Sequence, residues 1–337
     1  MTFTCRPCSP QQANHLASSR AARRGAGSRA PPEEALAALC GVRALSEVAT
    51  SSIDPAEYEL HYNPQRAFPE FASYRLRRAP ANDAAHAGLR KLGDIAYGDH
   101  PRHRLDIYPA AQPGAPVHVF FHGGYWRAND KESFAFVADR LVRNGITAVV
   151  ANYELCPDST LDGTVGSAVA AVEWVRRHIG THGGDPLAIS LSGHSAGAHL
   201  CAAVLAADWS ARGLDPAFLR GAVMISGIFD PGRAIGTTVN QDLRLTPEIA
   251  ERHNLEHRAP SAGCPVHLFV GGREPWRWID LTFRYAHTLR RHGGDPEVHV
   301  LPGYNHFDII DQYMEPESPI FRAVLSAAKS GAATQGG

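Results

Sequence analysis

From about residue 90 the chain alternates short runs rich in branched apolar residues with longer segments whose apolar side chains recur every three or four positions. Leu105–Tyr108 and Val117–Phe121 read as strands. Ser133–Asn144 reads as a helix, with Phe134, Val137, Leu141 and Val142 on one face and Gly145 as its stop. Ile146–Ala151 is apolar without a break, the pattern of a strand buried on both faces. A long amphipathic helix follows over Val165–Ile179, carrying Val169, Val172 and Trp174. Leu187–Leu191 is then a strand and Ala196–Ala207 an alanine-rich helix. Arg220–Ser226 and Val266–Val270 are further strands, Ile279–His292 a helix, Val298–Leu301 the last strand, and Phe321–Ala328 a closing helix. This alternation predicts a mainly parallel central sheet with helices on both faces. Phe229–Ser261 is polar and without a sustained period, and is expected to form a small cap or insertion over a pocket. His182–Pro186 recurs at His292–Pro296, each time after paired arginines. Both copies read as a helix stop and a turn into a strand.

Two segments among these elements carry chemistry. Gly193-His194-Ser195-Ala196-Gly197 joins a strand to a helix. A serine between glycines at such a junction fits a nucleophile elbow, where the bend leaves no room for a neighbouring Cβ. His122-Gly123-Gly124-Tyr125-Trp126 follows Val117–Phe121. A glycine-rich loop there offers backbone N–H groups to a developing oxyanion. The expected donors are the N–H groups of Gly123, Gly124 and Ala196. His122 is expected to hold the loop by hydrogen bonds, and His194 to pack beside the nucleophile without taking its proton. Tyr125 and Trp126 are candidates for the mouth of the site, where they would suit a flat aromatic substrate; the alternative for both is the core.

A serine hydroxyl needs an adjacent base, and the base needs a third group to fix its tautomer. Behind an elbow of this kind the acid and then the histidine follow the serine along the chain. Val266–Val270 runs into Gly271-Gly272-Arg273-Glu274, at the strand edge where open α/β sheets bind ligands. Val298–Leu301 runs into Pro302-Gly303-Tyr304-Asn305-His306. Ser195 is thus the expected nucleophile, His306 the base and Glu274 the acid. Asp230, just after the preceding strand, competes with Glu274. Asp280 falls inside the following helix, and Asp308 is too near His306 in sequence to orient its ring. The constellation predicts hydrolysis of a small-molecule substrate with no cofactor. Eighteen histidines invite a search for a metal. His-Glu-x-x-His is absent and His100 and His103 have no recognisable third ligand, so no metal is expected.

Composition narrows the class further. The chain has 337 residues, 44% hydrophobic and 20% charged, with a net charge of −1. That suits one large domain over 51–330, and gives no electrostatic reason to expect a nucleic-acid partner. No apolar run approaches the roughly 20 residues of a membrane-spanning helix. The six cysteines are scattered, which points to a cytoplasmic protein and away from a disulfide framework. Cys5-Arg6-Pro7-Cys8 lacks the second pair of a zinc ribbon. Residues 1–32 hold five arginines and no acid, without the apolar core of a secretory signal. Residues 1–50 are therefore expected to form a basic, disordered extension, and 331–337 a flexible tail. Oligomeric state is left open, a homodimer included.

Together, His122–Trp126, Gly193–Gly197 and Asn305-His306-Phe307-Asp308 resemble the serine-dependent arylformamidase (kynurenine formamidase) branch of the α/β-hydrolases, near the hormone-sensitive-lipase-like esterases. The resemblance extends to Tyr62-Asn63-Pro64-Gln65-Arg66, Tyr97-Gly98 and Asn152–Pro157, and covers roughly 55 to 325. It implies an α/β-hydrolase fold and hydrolysis of N-formyl-L-kynurenine to kynurenine and formate, a step of tryptophan breakdown. The interval between Glu274 and His306 is close to the family's, which favours Glu274 as the acid. Pro275-Trp276-Arg277-Trp278 departs from the family's pattern and supplies further candidate pocket residues. A carboxylesterase or amidase of the same fold is the alternative, and a non-catalytic binding protein on this fold a more distant one.

Overall fold

The computed structural model describes residues 53–330. The expected basic extension, its Cys5–Cys8 pair and the C-terminal tail lie outside the described residues. Eight strands form one sheet in the order β1-β2-β4-β3-β5-β6-β7-β8. They are β1 Leu92–Ala96, β2 Arg104–Tyr108, β3 Ala115–Phe121, β4 Thr147–Ala151, β5 Gly184–His194, β6 Leu219–Ile225, β7 Val266–Gly271 and β8 Glu297–Leu301. From β4 to β8 all neighbours are parallel. The edge pairs β1–β2 and β2–β4 are antiparallel.

Helices of eight residues or more are α1 Pro55–Tyr62, α2 Phe71–Gly88, α3 Phe136–Arg143, α4 Leu161–His178, α5 Ala196–Leu205, α6 Trp276–Arg291 and α7 Pro319–Lys329. Strand alternation splits the core in two. Val119, Phe121, Val149, Leu191 and Leu268 pack with α4, α5 and α6 on one face. Phe120, Val150, Val223 and Phe269 pack with α3 and α7 on the other. All five residues of β4 are buried, and each large side chain held this way contributes ~1.5–3 kcal/mol by leaving water. Both His-Gly-Gly-Asp-Pro segments end a helical stretch and lead into a strand, β5 and β8.

Three of these elements were not expected, α1 among them. β1 is a short, half-exposed edge strand. α2 buries only Tyr74 and Ala85 and contains Pro80, so it carries little apolar periodicity. Polar contacts hold it down instead. Arg78 Nη1 donates to the Phe307 carbonyl at 2.9 Å, Asn305 Nδ2 to the Tyr74 hydroxyl at 2.6 Å, and Asn82 Nδ2 to the Glu132 carbonyl at 2.8 Å. No described helix is long and apolar enough to cross a membrane.

Candidate active site

β5 delivers Ser195 to the C-terminal edge of the sheet, and α5 starts at the next residue. The turn forces Ser195 to φ +56°, a conformation that costs a residue with a Cβ about 1–3 kcal/mol. Its N–H is anchored to the Ile225 carbonyl at 2.8 Å. A Cβ on Gly197 would stand 2.0 Å from the Phe121 carbonyl oxygen, so only glycine lets α5 approach β3 here. Gly197→Ala is expected to lower stability by ~1–3 kcal/mol through overpacking and to lower kcat as the elbow shifts. A thermal melt and a rate measured on the same sample check both.

The loop after β3 lies directly against the serine. A Cβ on Gly123 would be 3.2 Å from that of Ser195, and Gly124 sits at φ +127° with the Ala128 carbonyl 2.2 Å from where a side chain would begin. The loop's carbonyls are occupied. That of Gly123 accepts from His122 Nδ1 at 2.8 Å and Asn129 Nδ2 at 3.0 Å, and that of Gly124 from the N–H groups of Arg127 and Ala128 at 3.0 Å. The N–H groups of Gly123, Gly124 and Ala196 have no acceptor among the described residues. Three unused donors thus gather beside Ser195, where a developing anion can use them.

Across the pocket, the loop after β8 carries His306 and the turn after β7 carries Glu274. His306 Nδ1 lies 2.7 Å from Glu274 Oε2, and both side chains are buried. The other carboxylate oxygen accepts from Ser226 Oγ at 2.5 Å and from the Gly271 N–H at 2.8 Å. Ser226 is itself strained, at φ +51°. Trp278 packs edge-on against His306, with centroids 4.9 Å apart, and its Nε1 donates to the Ser226 carbonyl at 3.1 Å. With the proton on Nδ1, His306 donates to the carboxylate and keeps a lone pair on Nε2. Such an imidazole can take a proton from a nearby hydroxyl and pass it on.

The competing acids are engaged elsewhere. Asp230 is paired with Arg233 at 2.8 Å, Asp280 lies inside α6, and Asp308 accepts from the Asn305 N–H at 2.6 Å to close the turn. His194 Nε2 lies 2.8 Å from the His306 carbonyl. Burial first, and the nearby His306 second, hold its pKa well below the ordinary histidine value. His122 is stacked between Phe134 and Tyr153, and burial lowers it to about 4. Both rings are neutral at neutral pH and serve as hydrogen-bonding struts.

A model of the alpha/beta hydrolase fold matches residues 118–308, which span every group just described. The chain belongs to this hydrolase family. It is similar to a kynurenine formamidase of Danio rerio, at 29% identity over 81% of this chain and 96% of that one. It is also similar to an isoprenylcysteine alpha-carbonyl methylesterase of Arabidopsis thaliana, at 27% identity over 65% of this chain and 57% of the other. Among solved structures, an esterase of Pyrobaculum calidifontis superposes with a TM-score of 0.62 at 21% identity, covering 77% of this chain and 92% of that one.

The hydrolase has a cavity of about 680 Å³ in which Gly123, Gly124, Tyr125, His194, Ser195 and His306 all share the lining. Tyr125 takes its place there with its hydroxyl fixed to the Tyr62 carbonyl at 2.7 Å. Trp126, expected beside it, is fully buried and packs edge-on against His199. Successive positive φ angles at Tyr125 and Trp126 turn the second ring into the core. Trp276 and Trp278 do not line the cavity either: the first is exposed and the second buttresses His306. Of the expected cap, Phe229–Ser261, only Asp242 reaches the lining. The opposite wall is built by the segment from Pro64 to Asp83, chiefly α2. Ser226 and α2 were not singled out from the sequence, and Trp278 was expected in the pocket, not behind His306. Only Ser226 carried a signal, its place at the end of β6.

Proposed function

We propose that this hydrolase cleaves an aryl formamide, with N-formyl-L-kynurenine as substrate, using Ser195 as nucleophile, His306 as base and Glu274 as acid. The observation that carries the reading is the 2.7 Å contact of His306 with the buried Glu274, where His306 shares the lining of one cavity with Ser195. Similarity to kynurenine formamidases over most of the chain supports the substrate class. Ser195 Oγ attacks the formyl carbon and its proton passes to His306 Nε2. The oxyanion rests on the N–H groups of Gly123, Gly124 and Ala196. His306 returns the proton to the arylamine nitrogen as the C–N bond breaks, leaving formyl-Ser195. Water, deprotonated by His306, then attacks that ester, and His306 returns the proton to Ser195 Oγ as the acyl bond breaks and formate departs. Incubation with N-formyl-L-kynurenine should yield kynurenine and formate in equal amounts, and absence of either product would contradict the reading.

The formamide substrate carries an amino-acid carboxylate. Arg75 is exposed on the cavity wall and pairs with no carboxylate among the described residues, whereas Arg78 is held by Asp311 and Arg127 by Asp242. Arg75→Ala should therefore raise KM for N-formyl-L-kynurenine roughly five- to tenfold, as loss of a solvent-screened, charge-assisted hydrogen bond would. Turnover of a neutral aryl ester should be unaffected. Similarity to a methylesterase and to esterase structures favours a second reading, a carboxylesterase. The same residues would serve it, because amide and ester pass through the same tetrahedral intermediate.

A further inference from the structure

At the far edge of the sheet, β7 and β8 bring together two histidines and a glutamate that the hydrolytic site does not use. His267 is the cross-strand partner of Glu297, and His299, two residues along β8, pairs with Phe269. Strand alternation therefore puts His267, Glu297 and His299 on one face of the sheet. A single carboxylate oxygen, Glu297 Oε2, lies 3.4 Å from His267 Nδ1 and 3.3 Å from His299 Nε2. Neither contact has the geometry of a hydrogen bond, and His267 Nδ1 is buried with no hydrogen-bond partner among the described residues. The three donor atoms all lie within 4.8 Å of one another.

We infer that this triad binds a divalent transition metal of zinc type. Ligand bonds of about 2.0–2.2 Å in a tetrahedron set neighbouring donor atoms about 3.4 Å apart, which is the spacing found on both sides of Glu297 Oε2. Two imidazoles, which are borderline donors, and one carboxylate make a set that zinc takes, and the fourth position is left to solvent. The Phe269 ring stacks on His299 at 4.6 Å and 14°, fixing the imidazole plane. Glu297 is exposed, which gives the ion a path in. Glu297 begins β8 whereas the His306 loop leaves its other end, about 13 Å further along the strand at ~3.3 Å per residue. The ion would staple the edge strand β8 to β7 and take no part in hydrolysis.

The test uses the full chain after chelator treatment and dialysis, titrated with zinc and, separately, with cobalt(II). Calorimetry should give one equivalent of zinc bound with micromolar or tighter affinity, and cobalt the intense visible absorption of a tetrahedral site. Glu297→Gln and His299→Ala should each weaken zinc at least tenfold and abolish the cobalt signal. His103→Ala, in a second cluster formed by His100, His103 and Glu154, should leave both intact. Binding that survives Glu297→Gln and His299→Ala, or no binding tighter than millimolar by the parent protein, would overturn the assignment. Ester hydrolysis by the Glu297→Gln and His299→Ala variants reports whether they are folded, and should match the parent.

Discussion

Ser195→Ala is expected to lower kcat by roughly 10⁶-fold, the loss that follows when a serine hydrolase is stripped of its nucleophile. The substitution removes one oxygen and little else. Among the described residues Ser195 Oγ makes no hydrogen bond that holds the fold, and the anchor to Ile225 is made by the backbone N–H. Alanine also has the Cβ already accommodated at φ +56°. The variant should therefore fold, melt close to the parent and bind substrate, while the three N–H donors retain a small residual rate. Single-turnover and steady-state rates with an aryl ester check this without any assumption about the natural substrate. A residual kcat within about a hundredfold of the parent would remove Ser195 from the mechanism.

The second large effect is at Glu274. Glu274→Gln changes one oxygen for an NH₂ at nearly constant volume, and is expected to cost about 10⁴-fold in kcat. The reason lies in the three contacts around the carboxylate. Oε1 accepts from the Gly271 N–H, which can only donate, and from Ser226 Oγ, while Oε2 faces His306 Nδ1. An amide must turn its one oxygen toward Gly271, which leaves NH₂ facing the ring. The imidazole then has to accept at Nδ1 and carry its proton on Nε2, where it can no longer receive one from Ser195. The fold loses little, since every donor of the site except the ring keeps an acceptor. Asp230→Asn is the control: its carboxylate is spent on Arg233, so the rate should fall far less. Equal losses in the two variants would contradict the assignment of the acid.

The sheet and the positions of the candidate site residues were legible for a common reason. Strands β3, β4, β6 and β7, and the second half of β5, are buried on both faces or nearly so, and burial writes itself into sequence as runs such as Ile146–Ala151. The tight approaches at Gly197 and Gly124 leave glycines in the places that matter. Glu274 and His306 could be located because each follows a readable strand at the edge where the elbow opens. What escaped notice obeys other physics. α2 forms a wall of the cavity through polar contacts made by Tyr74, Arg78 and Asn82, which leave no periodic apolar stripe. Trp126 stands beside Tyr125 in sequence yet points into the core, because consecutive left-handed residues reverse the chain. Ser226 supports Glu274 across a contact between residues far apart in the chain. His267, Glu297 and His299 were likewise not considered together, because strand register and not spacing along one segment joins them.

The most direct test of the account compares kcat/KM for N-formyl-L-kynurenine with those for p-nitrophenyl acetate and butyrate on one preparation. The account predicts a formamide value in the range of ordinary enzymes, about 10⁴ M⁻¹s⁻¹ or above, lost together with ester cleavage in Ser195→Ala. Rapid ester cleavage with negligible turnover of the formamide would contradict the proposed substrate, leaving an esterase built on the same serine, histidine and glutamate.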